Sequence, residues 1–301
     1  MKDKEFFKNK IDFQMVFEVI NGNPNGDPDM DNRPRMDDET GLGLVTDVCL
    51  KRKVRNYISL VHGNEQGYGL YINTDNLLND KERMTAEEYL EFAKGAKITD
   101  KDLPKAFETN KDLYGLIQYL NSKYFDIRFF GAVLTQFKKW KLNGCGALQG
   151  PLQFCIAQSV DPVTPMEMTI TRQALCGEAD KDKDNTMGNK YIIPYGLYTC
   201  NGHLTPAKAG CSFTVQDKEY LFEAVKRMFE LDHAASRGEM NMRKVVVFTH
   251  DSPYGNANAC DIFDRIHIQK KDCVIYPRKF ADYDFDVDME NFPKNISCEI
   301  L

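Results

Sequence analysis

Apolar and polar positions alternate between Ile11 and Ile20, where Phe13, Met15, Phe17 and Val19 recur at every second residue, the period of a half-buried strand. The next stretch, Asn21 to Gly43 (NGNPNGDPDMDNRPRMDDETGLG), has no apolar period and is dense in Asn, Asp, Gly and Pro, which predicts a long loop. Loops of that length within a compact domain are usually functional or disordered. Thr46 stands where an N-cap belongs. From Asp47 to Val61 the residues Val48, Leu50, Val54, Tyr57, Ile58 and Val61 fall near one helical face. Residues 63 to 110 are polar, charged and broken by Gly, with Thr99 and Asp102 spaced as a capping pair, and read as an inserted helical and loop region. Leu113, Leu116, Ile117 and Leu120 then set a helix over Lys111 to Tyr124.

Short apolar runs at Ile127 to Leu134 and at Leu152 to Val160, the second after a Gly-Cys-Gly turn at Gly144 to Gly146, suit strands. Met168 to Leu175 and Tyr191 to Tyr198 read as the arms of a long hairpin, because the tract between them, Gly177 to Lys190, is too polar to bury itself. Thr214 and Asp217 occupy capping positions ahead of a helix that carries Leu221, Val225, Met228 and Phe229 on one face. Lys244 to Thr249 and Ile262 to Ile268 read as closing strands, and the acidic segment Asp282 to Asp288 belongs at the surface. The order predicts an α+β fold: a β-α-β-β-α-β core with long excursions, forming one domain over residues 1 to 301, without internal repeats.

Composition narrows the class. Hydrophobic residues at 42% and charged residues at 28% are those of an ordinary globular chain, which excludes collagen-like, disordered and coiled-coil classes. The longest aliphatic and aromatic run, Val245 to Phe248, is far short of the ~18 residues of a membrane-spanning helix. The N-terminal MKDKEFFKNKID lacks the apolar middle region of a secretory signal. Nine scattered cysteines with no CxxC pair point to reduced thiols and a cytoplasmic protein. The net charge of −6 opposes nucleic-acid binding on average, but affinity follows where the cations cluster.

They cluster in two places. Lys51, Arg52, Lys53 and Arg55 put four cations into five residues, downstream of Gly41, Gly43 and Thr46, where backbone and a helix N-terminus can approach a phosphate. The same pattern also suits a solvated, well-capped helix face. Lys123, Arg128, Lys138, Lys139 and Lys141 interleave with Phe129, Phe130, Phe137 and Trp140, which suits phosphate tracking with base stacking, or equally a core with cationic ends. The spacing is not that of a Walker A loop. No metal or other cofactor is expected. Cys200, His203 and Cys211 lack paired zinc-ligand spacing. Asp27, Asp29, Asp31 and Asp38 imitate a calcium loop, but Asn32 stands where the EF-hand needs Gly and no Glu closes it. His233, beside Asp232, reads as a helix-end residue.

Six ordered blocks closely resemble the backbone subunit of type I-C CRISPR Cascade complexes: NPNGDPDMDNRPR (Asn23 to Arg35), GLGLVTDVCLKRKVRNY (Gly41 to Tyr57), DIRFFGAVL (Asp126 to Leu134), LQGPLQF (Leu148 to Phe154), MGNKYIIPYGLY (Met187 to Tyr198) and MFELDHAASRGEM (Met228 to Met240). The resemblance implies an RRM-like (ferredoxin-like) palm, with 63 to 110 as an inserted finger region and 172 to 190 as a thumb hairpin. It implies a non-catalytic protein that binds CRISPR RNA, lines up with other copies of itself and other Cascade subunits, and holds the guide for pairing with target DNA. Cutting would fall to a recruited helicase-nuclease. By motif match, Asn23, Asn25, Gly43, Thr46, Lys51, Arg52 and Arg55 would contact RNA, Arg128, Phe130 and Gln149 would line the palm, and Arg172 and Lys190 would flank the thumb. The thumb tip is more acidic than an RNA-gripping tip requires. An alternative is a metal-dependent RNA endonuclease using Asp27, Asp29 or Asp31, as in related type III backbone subunits.

Overall fold

The computed structural model describes residues 5–74, 77–95, 103–107, 110–135, 147–172, 186–209 and 212–301. The chain opens with β1 (Ile11–Gly22), passes through the two-residue strands β2 (Gly26–Asp27) and β3 (Arg33–Pro34) and then β4 (Leu42–Val45), and enters α1 (Asp47–His62). Helices α2 (Leu78–Lys94), α3 (Leu103–Ala106), α4 (Asn110–Lys123) and α5 (Phe125–Phe130) follow. Next come β5 (Gly131–Val133), β6 (Ala147–Gln149), β7 (Leu152–Phe154), β8 (Ala157–Pro162), β9 (Met166–Arg172) and the 19-residue β10 (Thr186–Leu204). The last third holds α6 (Val215–Arg227), β11 (Glu239–His250), α7 (Ala259–Phe263), β12 (Ile266–Lys270), β13 (Tyr283–Val287) and β14 (Ile296–Ile300).

The fold is a mixed α+β arrangement around a large antiparallel sheet ordered β14-β11-β1-β10-β8-β4, with β7 and β9 also pairing to β10. Its alternating residues separate two layers. Phe13, Met15, Phe17 and Val19 of β1 join the main core with Leu50, Val54 and Ile58 of α1 and Leu221 and Val225 of α6. The opposite face of β1 is buried as well, so the half-buried strand of the sequence pattern is covered on both sides. There Val16 meets Tyr195, Leu197 and Tyr283, while Val246 and Phe248 meet Ile262 and Ile296, under a lid made by the C-terminal segment.

Carboxylates on that second face are satisfied internally, as buried charges must be. Asp12, fully buried, accepts from Lys10 Nζ (2.7 Å), His203 Nδ1 (2.6 Å) and His250 Nε2 (2.9 Å). Burial alone would raise its carboxyl, but the hydrogen bonds from His203, Lys10 and His250 outweigh it and hold the pKa at about 2. Glu18 accepts from Tyr195 Oη (3.1 Å), Asn241 Nδ2 (3.1 Å), the Phe280 amide (3.2 Å) and Arg243, tying the C-terminal layer to β1.

Local signals place the helices. Thr46 caps α1, its side chain accepting from Cys49 N, and Thr214 with Asp217 closes a capping box on α6. Several expectations change. The run Ile127 to Leu134 is the end of α5 followed by β5, because every residue of α5 is buried and no polar face betrays its period. Ile262 to Ile268 divides into the end of α7 and β12, and Asp282 to Asp288 forms β13, with Tyr283 buried and Asp284 and Asp286 outward. Val48 of α1 points to solvent. The inserted helices make their own core, in which Ala86 and Leu90 of α2 pack with Leu113, Leu116 and Leu120 of α4, Ile127 and Leu134, so that unit extends past residue 110. The capping pair Thr99 and Asp102 and the hairpin tip at 173–185 lie outside the described residues.

Candidate nucleic-acid interface

The segment between β1 and α1 is a hydrogen-bonded unit where the sequence predicts an irregular loop. Asn25 Oδ1 accepts from both the amide and the hydroxyl of Thr46 (2.9 Å each), fixing the loop to the start of α1. Asn23, buried, donates from Nδ2 to Asn32 O (2.6 Å) and from its amide to Ser236 O (2.8 Å). Its Oδ1 is buried and, among the described residues, has no partner. Gly43 lies in β4, where its amide donates to Ser159 Oγ (2.8 Å) and an added Cβ would fall 2.2 Å from the Tyr198 hydroxyl. Close packing inside the fold therefore requires this glycine. Asn23, Asn25, Gly43 and Thr46 come together here as builders of the loop.

The four cations of α1 have partners within the chain. Lys51 Nζ donates to Asp47 Oδ2 and Gln153 Oε1 (3.0 Å each), and Arg52 Nη1 to Ile72 O (3.3 Å). Lys53 is buried against Asp232. Arg55 is buried too, 4.6 Å from the Phe130 ring centre and 3.4 Å from Asp126 Oδ2. Burial pulls its guanidinium below the usual arginine value, and Asp126 opposes that pull. Lys51 and Arg52 are the half-buried members, and Arg55 turns inward because Asp126 also holds the amides of Tyr71 (2.8 Å) and Ile72 (2.9 Å) at the root of the insertion.

Arg128, expected on the palm, is likewise internal. It grips Asp217 with two bonds, Nε to Oδ2 (2.9 Å) and Nη2 to Oδ1 (2.7 Å), while Nη1 donates to Gly67 O (3.1 Å) and Asn121 O (2.6 Å). Phe130 is buried between Arg55 and Phe154. Gln149 is exposed at the end of β6 opposite Gly131. Arg172 sits opposite Thr186 and Lys190, half-buried, opposite Met168 in the β9–β10 hairpin. Phe137, Lys138, Lys139, Trp140 and Lys141 lie outside the described residues.

The structured loop and the hairpin base enclose a cavity of ≈ 500 Å³, lined by Asp27, Met30, Arg33, Arg35, Glu167 and Tyr191 among others. The Arg33 guanidinium lies 4.8 Å from the Tyr191 ring centre, and Tyr191 Oη donates to Asp31 Oδ2 (3.4 Å). Arg35 pairs with Asp27 (3.0 Å), and its Nε is buried and has no partner among the described residues. This arrangement brings two guanidinium groups and an aromatic face, the parts that can meet a phosphate and a base, together with the carboxylates of Asp27, Asp38 and Glu167. The sequence pattern gives Arg33 and Arg35 no role of their own; Arg-Pro-Arg in an otherwise acidic loop is the signal that could have singled them out.

Metal-ligand readings gain no geometry here. Asp27 is engaged by Arg35 and by the Asp29 amide (3.1 Å). The Cys200 thiol is buried and donates to Cys155 O (3.3 Å), while His203 is held by Asp12. Cys211 lies outside the described residues, and among the described residues no group of three His, Cys, Asp or Glu side chains is placed to hold a metal ion.

The sheet and its loop cavity define an α+β protein with a cleft of mixed charge beside a long hairpin, in which Arg33, Arg35 and Tyr191 stand with Asp27, Asp38 and Glu167. A family model described as CRISPR-associated protein Cas7 matches residues 9–288, and the chain belongs to that family. A CRISPR-associated protein Cas7 from Haloferax volcanii is 27% identical over 203 residues, covering 63% of this chain and 55% of the relative. The chain thus spans little more than half the length of that curated relative. Among solved structures, a chain of a CRISPR RNA-guided surveillance complex in a pre-nicking state is similar, with a TM-score of 0.48 and 13% identity over 79% of this chain and 78% of that one. A chain of a further CRISPR RNA-guided surveillance complex gives 0.42 and 12%, covering 79% and 68%. One from the type III-B Cmr-beta complex bound to cognate target RNA gives 0.43 and 9%, covering 79% and 61%.

Proposed function

We propose that this chain is a non-catalytic, CRISPR RNA-binding backbone subunit of a type I-C Cascade effector in the cytoplasm. Copies of it line up along one guide, together with other Cascade subunits, and present the spacer for pairing with target DNA, which a recruited helicase-nuclease cuts. The strand order β11-β1-β10-β8, with α1 following β1 and α6 between β10 and β11, supports an RRM-like core. The observation that carries the reading is the cleft where the loop of Asn23 to Arg35 meets the hairpin base, because it gathers Arg33, Arg35 and Tyr191 in a chain of net charge −6.

In this reading Arg33, Arg35, Lys51, Arg52, Gln149, Arg172 and Lys190 meet the RNA. Asn23, Asn25, Gly43 and Thr46 shape the loop that presents them, and Arg55, Arg128 and Phe130 support it from within. Replacing Arg33 and Arg35 by Ala tests this. RNA affinity falls, and the slope of log K against log salt flattens by about 0.7 for each single-strand phosphate that is no longer neutralised. An unchanged slope refutes the placement of the guide in this cleft.

A further inference from the structure

A separate cationic segment lies in the C-terminal layer. Between Lys270 and Lys279 the chain places Lys270, Lys271, Arg278 and Lys279 against a single carboxylate, Asp272. Lys270 and Lys271 are partly neutralised by Asp161 (3.9 Å) and Asp284 (3.7 Å). Arg278 and Lys279 are exposed and, among the described residues, form no ion pair; Arg278 Nη1 donates only to the neighbouring Pro277 O (3.1 Å). Between these pairs of cations stands Tyr276, 77% exposed, beside Ile275 at 75%. An exposed aromatic ring next to two cations, Arg278 and Lys279, that form no ion pair among the described residues is the combination that single-stranded nucleic acid exploits, with phosphates on the cations and a base on the ring.

The segment is held ready for this. The Asp282 carboxylate accepts from the amides of Arg278 (2.8 Å) and Lys279 (3.2 Å), Val274 N donates to Lys271 O (2.9 Å), and Phe280 N is anchored on buried Glu18 (3.2 Å). A loop so fixed loses little freedom when a ligand orders on it. Beneath it lies a cavity of ≈ 350 Å³ walled by Pro194, Tyr195, Lys270, Tyr276, Arg278 and Tyr283. This cavity and the cleft of Arg33 and Arg35 both border the hairpin base, for Pro165 and Tyr191 line the first cleft, and Thr164 and Pro194 the second.

We infer that Lys270–Lys279 is a second binding site for single-stranded nucleic acid, in which Tyr276 stacks on a base and Arg278 and Lys279 take phosphates. The site stands on its own residues and does not require the guide to occupy the first cleft. A protein partner recognised by the exposed Ile275 and Tyr276 is disfavoured by the charge, which suits a polyanion.

The test uses the full chain with 5-iodouracil-substituted 20-nucleotide oligo(dT) and oligo(U), read by fluorescence anisotropy and by mapping the photo-cross-links. Wild-type protein cross-links through the peptide containing Tyr276. The variant Tyr276→Ala, Arg278→Ala, Lys279→Ala binds about tenfold or more weakly, with its salt slope flattened by about 1.4 for two phosphates. Tyr276→Phe, which keeps the ring, retains wild-type affinity. A preference between the two oligonucleotides identifies DNA or RNA as the occupant. Cross-links confined to other peptides overturn the proposal. So do unchanged affinity and slope in the triple variant, including the case in which that variant instead loses association with its own copies, which would mark a protein-docking surface. Because the triple variant leaves Arg33 and Arg35 intact, failure here is distinguishable from failure of the guide reading.

Discussion

Arg128→Ala separates a supporting role from direct contact with a ligand. In the wild-type chain the guanidinium is 5% exposed and both oxygens of fully buried Asp217 accept from it. Tyr68 Oη (2.9 Å) and the Thr214 amide (2.8 Å) complete the shell of Asp217, which also caps α6. Removing the arginine leaves an uncompensated buried carboxylate and strips a donor from Gly67 O and Asn121 O. Breaking one side of a buried ion pair costs about 3–5 kcal/mol. For a chain of this length each kcal/mol moves Tm by about 2 °C, so the variant should melt roughly 6–10 °C lower. Arg128→Lys keeps the charge but not the two-pronged geometry, and should fall between them. The assay is thermal unfolding of RNA-free protein followed by circular dichroism, alongside RNA affinity measured well below both transitions. A variant that melts like wild type yet loses RNA affinity would refute the internal assignment of Arg128.

Two further perturbations probe other parts of the fold. Because the Asp12 carboxyl sits at about 2 instead of its ordinary 3.8, its contribution of about 2 kcal/mol is present above pH 4 and lost as pH falls through 2. Acid unfolding of Asp12→Asn, compared with wild type, should lack that part of the pH dependence, and identical acid profiles would contradict it. Gly43→Ala should destabilise by about 1–3 kcal/mol through the clash with Tyr198 Oη. Since that buried hydroxyl has no hydrogen-bond partner among the described residues, Tyr198→Phe should be tolerated and should recover part of the loss in the double variant, as read by denaturant midpoints. Additive losses would disprove the clash.

What the sequence disclosed was local. The caps Thr46 and Thr214 and the apolar faces of α1 and α6 are written within a few residues, so α1 and α6 begin where those signals place them. The short apolar run of α5 has no polar face, and helix and strand periods are indistinguishable over six residues that are all buried. Charge was the harder reading. Four cations in five residues look like a phosphate-binding row, yet the partners of Arg55 and Lys53, namely Asp126 and Asp232, lie 71 and 179 residues away in the chain. The cleft of Arg33 and Tyr191 joins residues separated by 158 positions, so only the sheet register brings them together. Spacing along a chain reports neighbours on an element, and it carries no record of which distant carboxylate neutralises a cation.

The central claim is tested most directly by purifying the protein from its native host under mild salt and sizing both the assembly and any RNA within it, with and without ribonuclease. A large particle carrying RNA of uniform length with repeat-derived ends is the predicted result, with nucleic acid and protein co-migrating. An RNA-free monomer, or an assembly of unchanged composition after ribonuclease treatment with no protected RNA, would contradict the account.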